Sequence, residues 1–232
     1  MKTVAVVPIK MNNERTPGKN TKPFSDGTPL VHFAQKTLLS CRGIDEIYIY
    51  CSRDEIKDYI LPKIKYLKRD ASLDSPTTDI ASILKAFAND VDADIYVLMH
   101  ATAPFLSADS INSAITSVQS GECDSAFTVE KLQEFLWRDN APINYSLEHI
   151  PRTQDLPLIW KETSGAYVYT REVIKEMGRR IGNRPRVIEV SKIEAIDIDN
   201  PEDFEIANAV YMQIISKAAA SAMCTTGGGN SA

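Results

Sequence analysis

The sequence predicts an α/β fold: a doubly wound, mostly parallel sheet carrying a small inserted lobe. Three observations carry that expectation. Short β-branched runs alternate with amphipathic helical stretches; the one long break in the alternation falls between residues 130 and 162; and 232 residues at 44% hydrophobic content suffice for one full-sized core.

The runs "TVAVVP" (3–8), "EIYIYC" (46–51), "DIYVLMH" (94–100) and "SAFTV" (125–129) read as buried strands. Between them, residues 29–40, 78–90 and 107–120 place apolar side chains at three- and four-residue steps, as helices do. Later strands are expected at "GAYVYT" (165–170), "RVIEV" (186–190) and "AIDID" (195–199), and a closing helix over 201–218 with Pro201 in its first turn. Residues 130–162 fit neither period and hold both tryptophans, Trp137 and Trp160, so they form the inserted lobe of short strands and loops. Residues 1–216 are thus expected to be one domain, and the small, glycine-rich stretch 217–232 a disordered tail.

Composition excludes several classes of function. With 26 basic and 31 acidic side chains, net charge −5, no global positive field draws the chain to nucleic acid or an anionic membrane. Cys41, Cys51, Cys123 and Cys224 are widely spaced, which argues against a disulfide framework or zinc knuckle, and His32, His100 and His149 lack a metal-ligand spacing. The start lacks the long apolar stretch of a signal peptide, and no window approaches ~18 uninterrupted apolar residues. A cytoplasmic protein is expected. The Walker P-loop, the Rossmann glycine fingerprint and the G-x-S-x-G elbow are all absent.

Against this acidic background the segment after the first strand stands out: residues 9–22 carry Lys10, Arg15, Lys19 and Lys22 with Pro17 and Gly18 among them. Ordinary βα loops run ~2–6 residues, and in an open parallel sheet ligands lie beyond the carboxyl ends of the strands. Each lysine alone reads as a solvated cation; the whole constellation reads as a phosphate-binding loop. Asp197 and Asp199 form the second cluster. Two residues apart on an expected strand, they share a face and suit Mg²⁺, which is commonly held by one or two carboxylates plus substrate phosphates. The alternative is a pair of solvent-facing acids before a helix capped by Asp199 or Asn200. Asp203, in that helix's first turn, is read as structural.

A strand ending in proline, followed by a basic residue, "R-T-P-G-K-N" and "K-P-F", resembles the nucleotide loop of the sugar-activating cytidylyltransferases, the family containing acylneuraminate (CMP-sialate) and CMP-Kdo synthetases. "KRDASLDS" (68–75), "VLMHATAPFL" (97–106), "RTQDLP…ETSGAYVY" (152–169) and "AIDIDNPEDFEIAN" (195–208) resemble further blocks of that family in the same order. The resemblance implies Lys19, Arg15 and Asp199 as catalytic residues, with Lys10, Asn20, Arg69, Ser75 and His100 around the nucleotide. Arg152, Gln154 and Ser164 would read the sugar, and Asp197 with Asp199 would hold Mg²⁺. Lys10, His100 and Ser164 stand where the family usually has Arg, Gln and Asn.

The implied activity is transfer of CMP from CTP to the anomeric hydroxyl of a sialic acid-like 2-keto sugar, with release of pyrophosphate, by a homodimer in which the lobe reaches over a site. Two alternatives remain open. One is nucleotidyl transfer to a sugar phosphate or polyol phosphate, for which Arg179, Arg180, Arg184 and Arg186 offer a second cationic cluster; the other is a non-catalytic nucleotide-binding homologue.

Overall fold

In the computed structural model, residues 1–13 and 15–215 are described, and the expected tail lies outside them. Seven strands form one sheet in the order β3-β2-β1-β4-β8-β5-β9. Strands β1 (Thr3–Ile9), β2 (Glu46–Cys51), β3 (Lys65–Lys68) and β4 (Ile95–Met99) are parallel. Strand β5 (Ser125–Leu132) and the edge strand β9 (Pro185–Val190) form a second parallel pair. Between the two sets lies β8 (Ile159–Thr170), antiparallel to both β4 and β5. The remaining strands, β6 (Trp137–Arg138) and β7 (Ala141–Pro142), make a separate hairpin in the lobe, turned by Asp139 and Asn140 at φ 50 and 64°. Positive φ at both central residues is what a tight right-twisted hairpin requires.

Because β1 and β4 are buried on both faces, their sequences are continuous apolar runs, and helices cover each side. One face joins Ala5, Val7, Val97 and Met99 to α1 (Leu30–Ser40) and α3 (Ala108–Gln119) through Val31, Ala34, Ile111 and Ile115. The other joins Val6, Leu98, Tyr167 and Tyr169 to α2 (Ile80–Asp90) and α4 (Arg171–Lys175) through Leu84, Phe87, Val173 and Ile174. Tyr48 and Tyr50 meet Phe87 edge-on on that face, the packing role their alternation suggests.

Helix starts follow their capping chemistry. Asp79 accepts from Ser82 N at 2.7 Å, Ser107 accepts from Ser110 N at 3.1 Å, and α5 (Pro201–Val210) has proline in its first turn and a capping box of Asn200 with Asp203. The expected helix over 201–218 therefore runs to Val210, followed by a π turn at Tyr211–Ile215. Phe24, Leu30, Ile198 and Phe204 form a third apolar cluster that seats α5 against α1.

The sheet differs from expectation in one respect that bears on the site. Residues 195–199 are not a strand. They pair with neither edge strand of the sheet, β3 or β9. They cross the carboxyl end of the sheet instead, tied by Ile198 N to Thr102 O at 2.9 Å. The apolar and acidic alternation is real, since Ile198 is fully buried, but it reflects a chain wedged between β4 and α5. Among the described residues, no helix is long and apolar enough to cross a membrane.

Candidate active site

The segment after β1 and the 195–203 segment meet at the carboxyl end of the sheet. Gly18, at φ 67°, lets the loop turn into a short 3-10 segment over Lys19–Thr21. Lys19 is only 7% exposed, and its Nζ donates to Ile198 O at 2.6 Å and lies 3.7 Å from Asp199 Oδ1. Burial pulls its pKa down, against the opposing pull of Asp199 and Asp197. Arg15 pairs with Asp199 at 3.0 Å, and Thr16 Oγ1 donates to Asp199 O at 3.3 Å. Lys10, Asn12, Asn13, Arg15, Thr16, Lys19, Pro76 and Asp199 line a recess of about 230 Å³.

Several residues expected at the nucleotide serve the scaffold of this recess. Asn20 is buried, and its Nδ2 donates to Lys10 O at 2.8 Å, closing the loop on itself. The Arg69 guanidinium is not part of the recess lining. It is 2% exposed and bound to Asp74 at 2.6 Å and to Ile9 O at 3.0 Å. Asp74 also accepts from Ser52 Oγ at 2.5 Å, so Arg69 ties the ends of β1 and β2 to the 71–74 turn. Ser75 is exposed, bonded to Thr77 Oγ1 at 2.9 Å and adjacent to Pro76 in the recess wall.

Asp197 sits deeper than Asp199. Burial raises its pKa, the Thr102 hydroxyl opposes that shift, and its Oδ1 is buried with no hydrogen-bond partner. An orphaned carboxylate oxygen beside a second carboxylate fits an oxygen-seeking cation such as Mg²⁺. Among the described residues there is no cage of three His, Cys, Asp or Glu side chains. Asp203 is structural: its Oδ2 accepts from Asp199 N at 3.0 Å and Asn200 N at 2.7 Å, fixing the backbone that presents Asp199.

His100 ends β4. Burial drives its pKa down to about 4, with Arg180 and Lys19 pushing the same way and Asp199 opposing. Its Nε2 is buried without a partner. Facing it, Ser164 sits at φ 59° where β8 bulges against β5 between Phe127 and Val129. Asparagine, which the sequence resemblance implies at this position, tolerates a left-handed backbone better than most.

In the lobe, Arg152 forms a bidentate pair with Asp155 at 2.7 and 3.1 Å, and exposed Gln154 accepts at its carbonyl from Gln133. Neither is brought to the recess. The second cationic cluster does not assemble either. Arg186 pairs with Glu122 at the amino end of the sheet, Arg179 contacts Asn183, and Asp124 holds the 183–184 backbone there. Arg180 lies over the Tyr167 ring and within electrostatic reach of His100. Thr16, Thr102 and Glu162 escaped the sequence reading, because hydroxyls and a lone glutamate give no periodic or charge-cluster signal.

A basic loop facing paired carboxylates at the carboxyl edge of a mostly parallel sheet defines a nucleotidyltransferase-like site. The chain belongs to the cytidylyltransferase family, whose model matches residues 4–214. It is 24% identical over 222 residues to CMP-N,N'-diacetyllegionaminic acid synthase of Legionella pneumophila, covering 89% of this chain and 94% of that one. It is 22% identical over 240 residues to 8-amino-3,8-dideoxy-manno-octulosonate cytidylyltransferase of Shewanella frigidimarina, covering 88% and 96%. The fold is shared with a CMP:2-keto-3-deoxy-manno-octonic acid synthetase solved with CTP (TM-score 0.68, 14% identity, 92% of this chain and 99% of that one). It is also shared with 4-diphosphocytidyl-2C-methyl-D-erythritol synthase of Anaerococcus prevotii (TM-score 0.65, 13% identity, 91% and 96%).

Proposed function

We propose that this cytidylyltransferase moves CMP from CTP to the anomeric hydroxyl of a sialic acid-like 2-keto sugar and releases pyrophosphate. The recess that sets Lys10, Arg15 and Lys19 against Asp199 carries the reading, and both curated relatives are named for acidic sugars of this kind. The triphosphate lies over the loop, where Arg15 exchanges its contact with Asp199 for a bidentate grip on phosphate. Lys19 keeps its hold on Ile198 O and steadies the carboxylates from behind. The anomeric oxygen attacks the α-phosphorus in line as the bond to the β-phosphate oxygen breaks, and Lys10 and Arg15 balance charge on the leaving pyrophosphate. Bound to Asp197 and Asp199, Mg²⁺ would supply charge neutralisation at the α-phosphate and acidify the attacking hydroxyl.

We place the reaction in the cytoplasm, where CTP is made; among the described residues Cys41, Cys51 and Cys123 are free thiols. The working unit is a homodimer formed through the lobe, whose outer surface exposes Trp137, Ile143, Leu147, Ile150 and Leu158. The test is pyrophosphate release from CTP and Mg²⁺ with N,N'-diacetyllegionaminate, 8-amino-3,8-dideoxy-manno-octulosonate or no acid, with product mass as readout. Acid-dependent CMP-sugar abolished by EDTA is expected. Release with a polyol phosphate and with neither acid would overturn the reading.

A further inference from the structure

An acidic acceptor needs a cation on its own side of the reacting centre, and the basic residues near the recess are already engaged there. Arg15 and Lys19 contact Asp199, and Lys10 lines the nucleotide recess. Across β4, on the α2 and α4 face, Arg180 lies over the Tyr167 ring, 3.8 Å from ring centroid to guanidinium carbon. One terminal nitrogen reaches Glu162 Oε1 at 2.8 Å, and the Tyr167 hydroxyl donates to that same oxygen. Ser164, at the bulge, lies beside the same phenol, where its hydroxyl opposes the rise that burial gives the phenol's pKa.

Stacking fixes the plane of the guanidinium, and one ion pair fixes its rotation. Among the described residues that bond to Glu162 is its one hydrogen bond, so its other donors remain for a ligand. Its side chain is 23% exposed, largely withdrawn from water, where an added carboxylate is held more strongly than at an open surface. The group opens toward the catalytic edge. His100 meets Tyr167 edge-on at 6.4 Å and lies within electrostatic reach of Arg180, Lys19 and Asp199 together. The recess and the Arg180 group are therefore neighbours joined through His100, whose buried Nε2 lacks a partner. Arg152, by contrast, is 73% exposed and spends its fork on Asp155.

We propose that Arg180, held by Glu162 and Tyr167, is the specificity-determining residue that binds the carboxylate of the acceptor sugar. The assignment rests on the transfer proposed above and names which side chain makes it acid-specific. A planar fork suits a carboxylate, and a site built for that pairing rejects a neutral isostere.

Equilibrium binding to the CTP-loaded protein in EDTA tests this without turnover. The probes are N,N'-diacetyllegionaminate, 8-amino-3,8-dideoxy-manno-octulosonate and their C1 carboxamides, against wild type, Arg180→Met and Arg180→Lys. Wild type is expected to prefer acid over carboxamide by at least about 30-fold, the scale of a charge-assisted hydrogen bond. Arg180→Met should lose that preference, Arg180→Lys should keep part of it, and CTP affinity should stay unchanged in both, showing that they fold. An Arg180→Met protein that still prefers the acid overturns the assignment, even if wild type turns over. Wild-type preference without Mg²⁺-dependent turnover would overturn the proposed reaction and leave Arg180 in place.

Discussion

The basic-loop side of the site is tied together across the chain, whereas the lobe hangs from two strands. Lys19 and Thr16 reach residues 198 and 199, and Arg69 reaches Ile9, all through buried or half-buried contacts. The lobe is carried on Val129–Leu132 of β5 paired with Ile159–Glu162 of β8, and beyond that on a hairpin of two-residue strands. A two-stranded ribbon is marginal by itself. The difference teaches where each property resides: charge chemistry needs a fixed frame, while the lobe is a limb that can change, or gain a partner, without disturbing that frame.

The largest effect should come from breaking the frame at its chemical centre. Asp199→Asn keeps the shape of the side chain and loses an exposed ion pair with Arg15 that contributes little to stability. The variant is expected to melt near wild type yet lose about 10³-fold or more in Mg²⁺-dependent rate, as expected when transition-state charge goes uncompensated. Near-normal turnover in a folded protein would remove Asp199 from the metal role.

Next, Asp74→Ala tests whether the frame is held from behind. It strands the almost fully buried Arg69 guanidinium without its carboxylate, and breaking such a pair costs about 3–5 kcal/mol. Urea unfolding should show a loss of that size, while an equivalent change at the exposed Arg152–Asp155 pair in the lobe should cost well under about 1 kcal/mol. Equal losses would erase the contrast between the regions.

His100 gives a pH test. Its folded pKa, near 4, lies below the ordinary value of 6.5 because burial disfavours the imidazolium. The unfolded chain then binds the proton more readily, so the stability His100 contributes is complete above about pH 6.5 and is lost as pH falls toward 4. Between those limits the slope approaches about 1.4 kcal/mol per pH unit. Comparing His100→Gln with wild type across pH 4–7 should show the variant losing less stability on acidification. Parallel curves would mean that the ring is open to water.

How much of this was legible in the sequence follows from which patterns are unique to one structure. The strands β1, β2 and β4 were readable because a continuous β-branched run between turn signals has few other homes. Strand β3, "KYLK", was not, since a short edge strand carries charge in place of apolar alternation. "AIDID" reads as a strand because an extended segment alternating inward and outward has a strand's period, and only its tertiary partner, Thr102 O on Ile198 N, shows that it lies outside the sheet. The basic loop and the two aspartates were found as clusters. Yet Asn20 and Arg69 face inward, a distinction fixed by partners such as Lys10 O and Asp74 that no local spacing reveals.

The smallest expected effect lies at the junction of the two regions. Ser164 holds φ 59° at the β8 bulge, a conformation that crowds Cβ against the backbone by about 1–2 kcal/mol in a non-glycine residue. Its hydroxyl also lies beside the phenol of Tyr167, which positions Glu162 and Arg180. Glycine relieves the crowding but frees the unfolded chain by roughly 0.5–1 kcal/mol, so Ser164→Gly should melt within about 1 kcal/mol of wild type. Ser164→Val, a β-branched residue forced to positive φ, should fall below it by about 1–2 kcal/mol. Ser164→Asn should match or slightly exceed wild-type stability, because asparagine accepts this backbone readily. If the bulge sets the backbone and the side chain tunes Arg180, the valine variant loses stability first, while the glycine variant shows a raised KM for the acceptor with an unchanged KM for CTP. An acceptor KM unmoved in Ser164→Gly would separate the bulge from the recognition of the acid and leave Ser164 a purely structural residue.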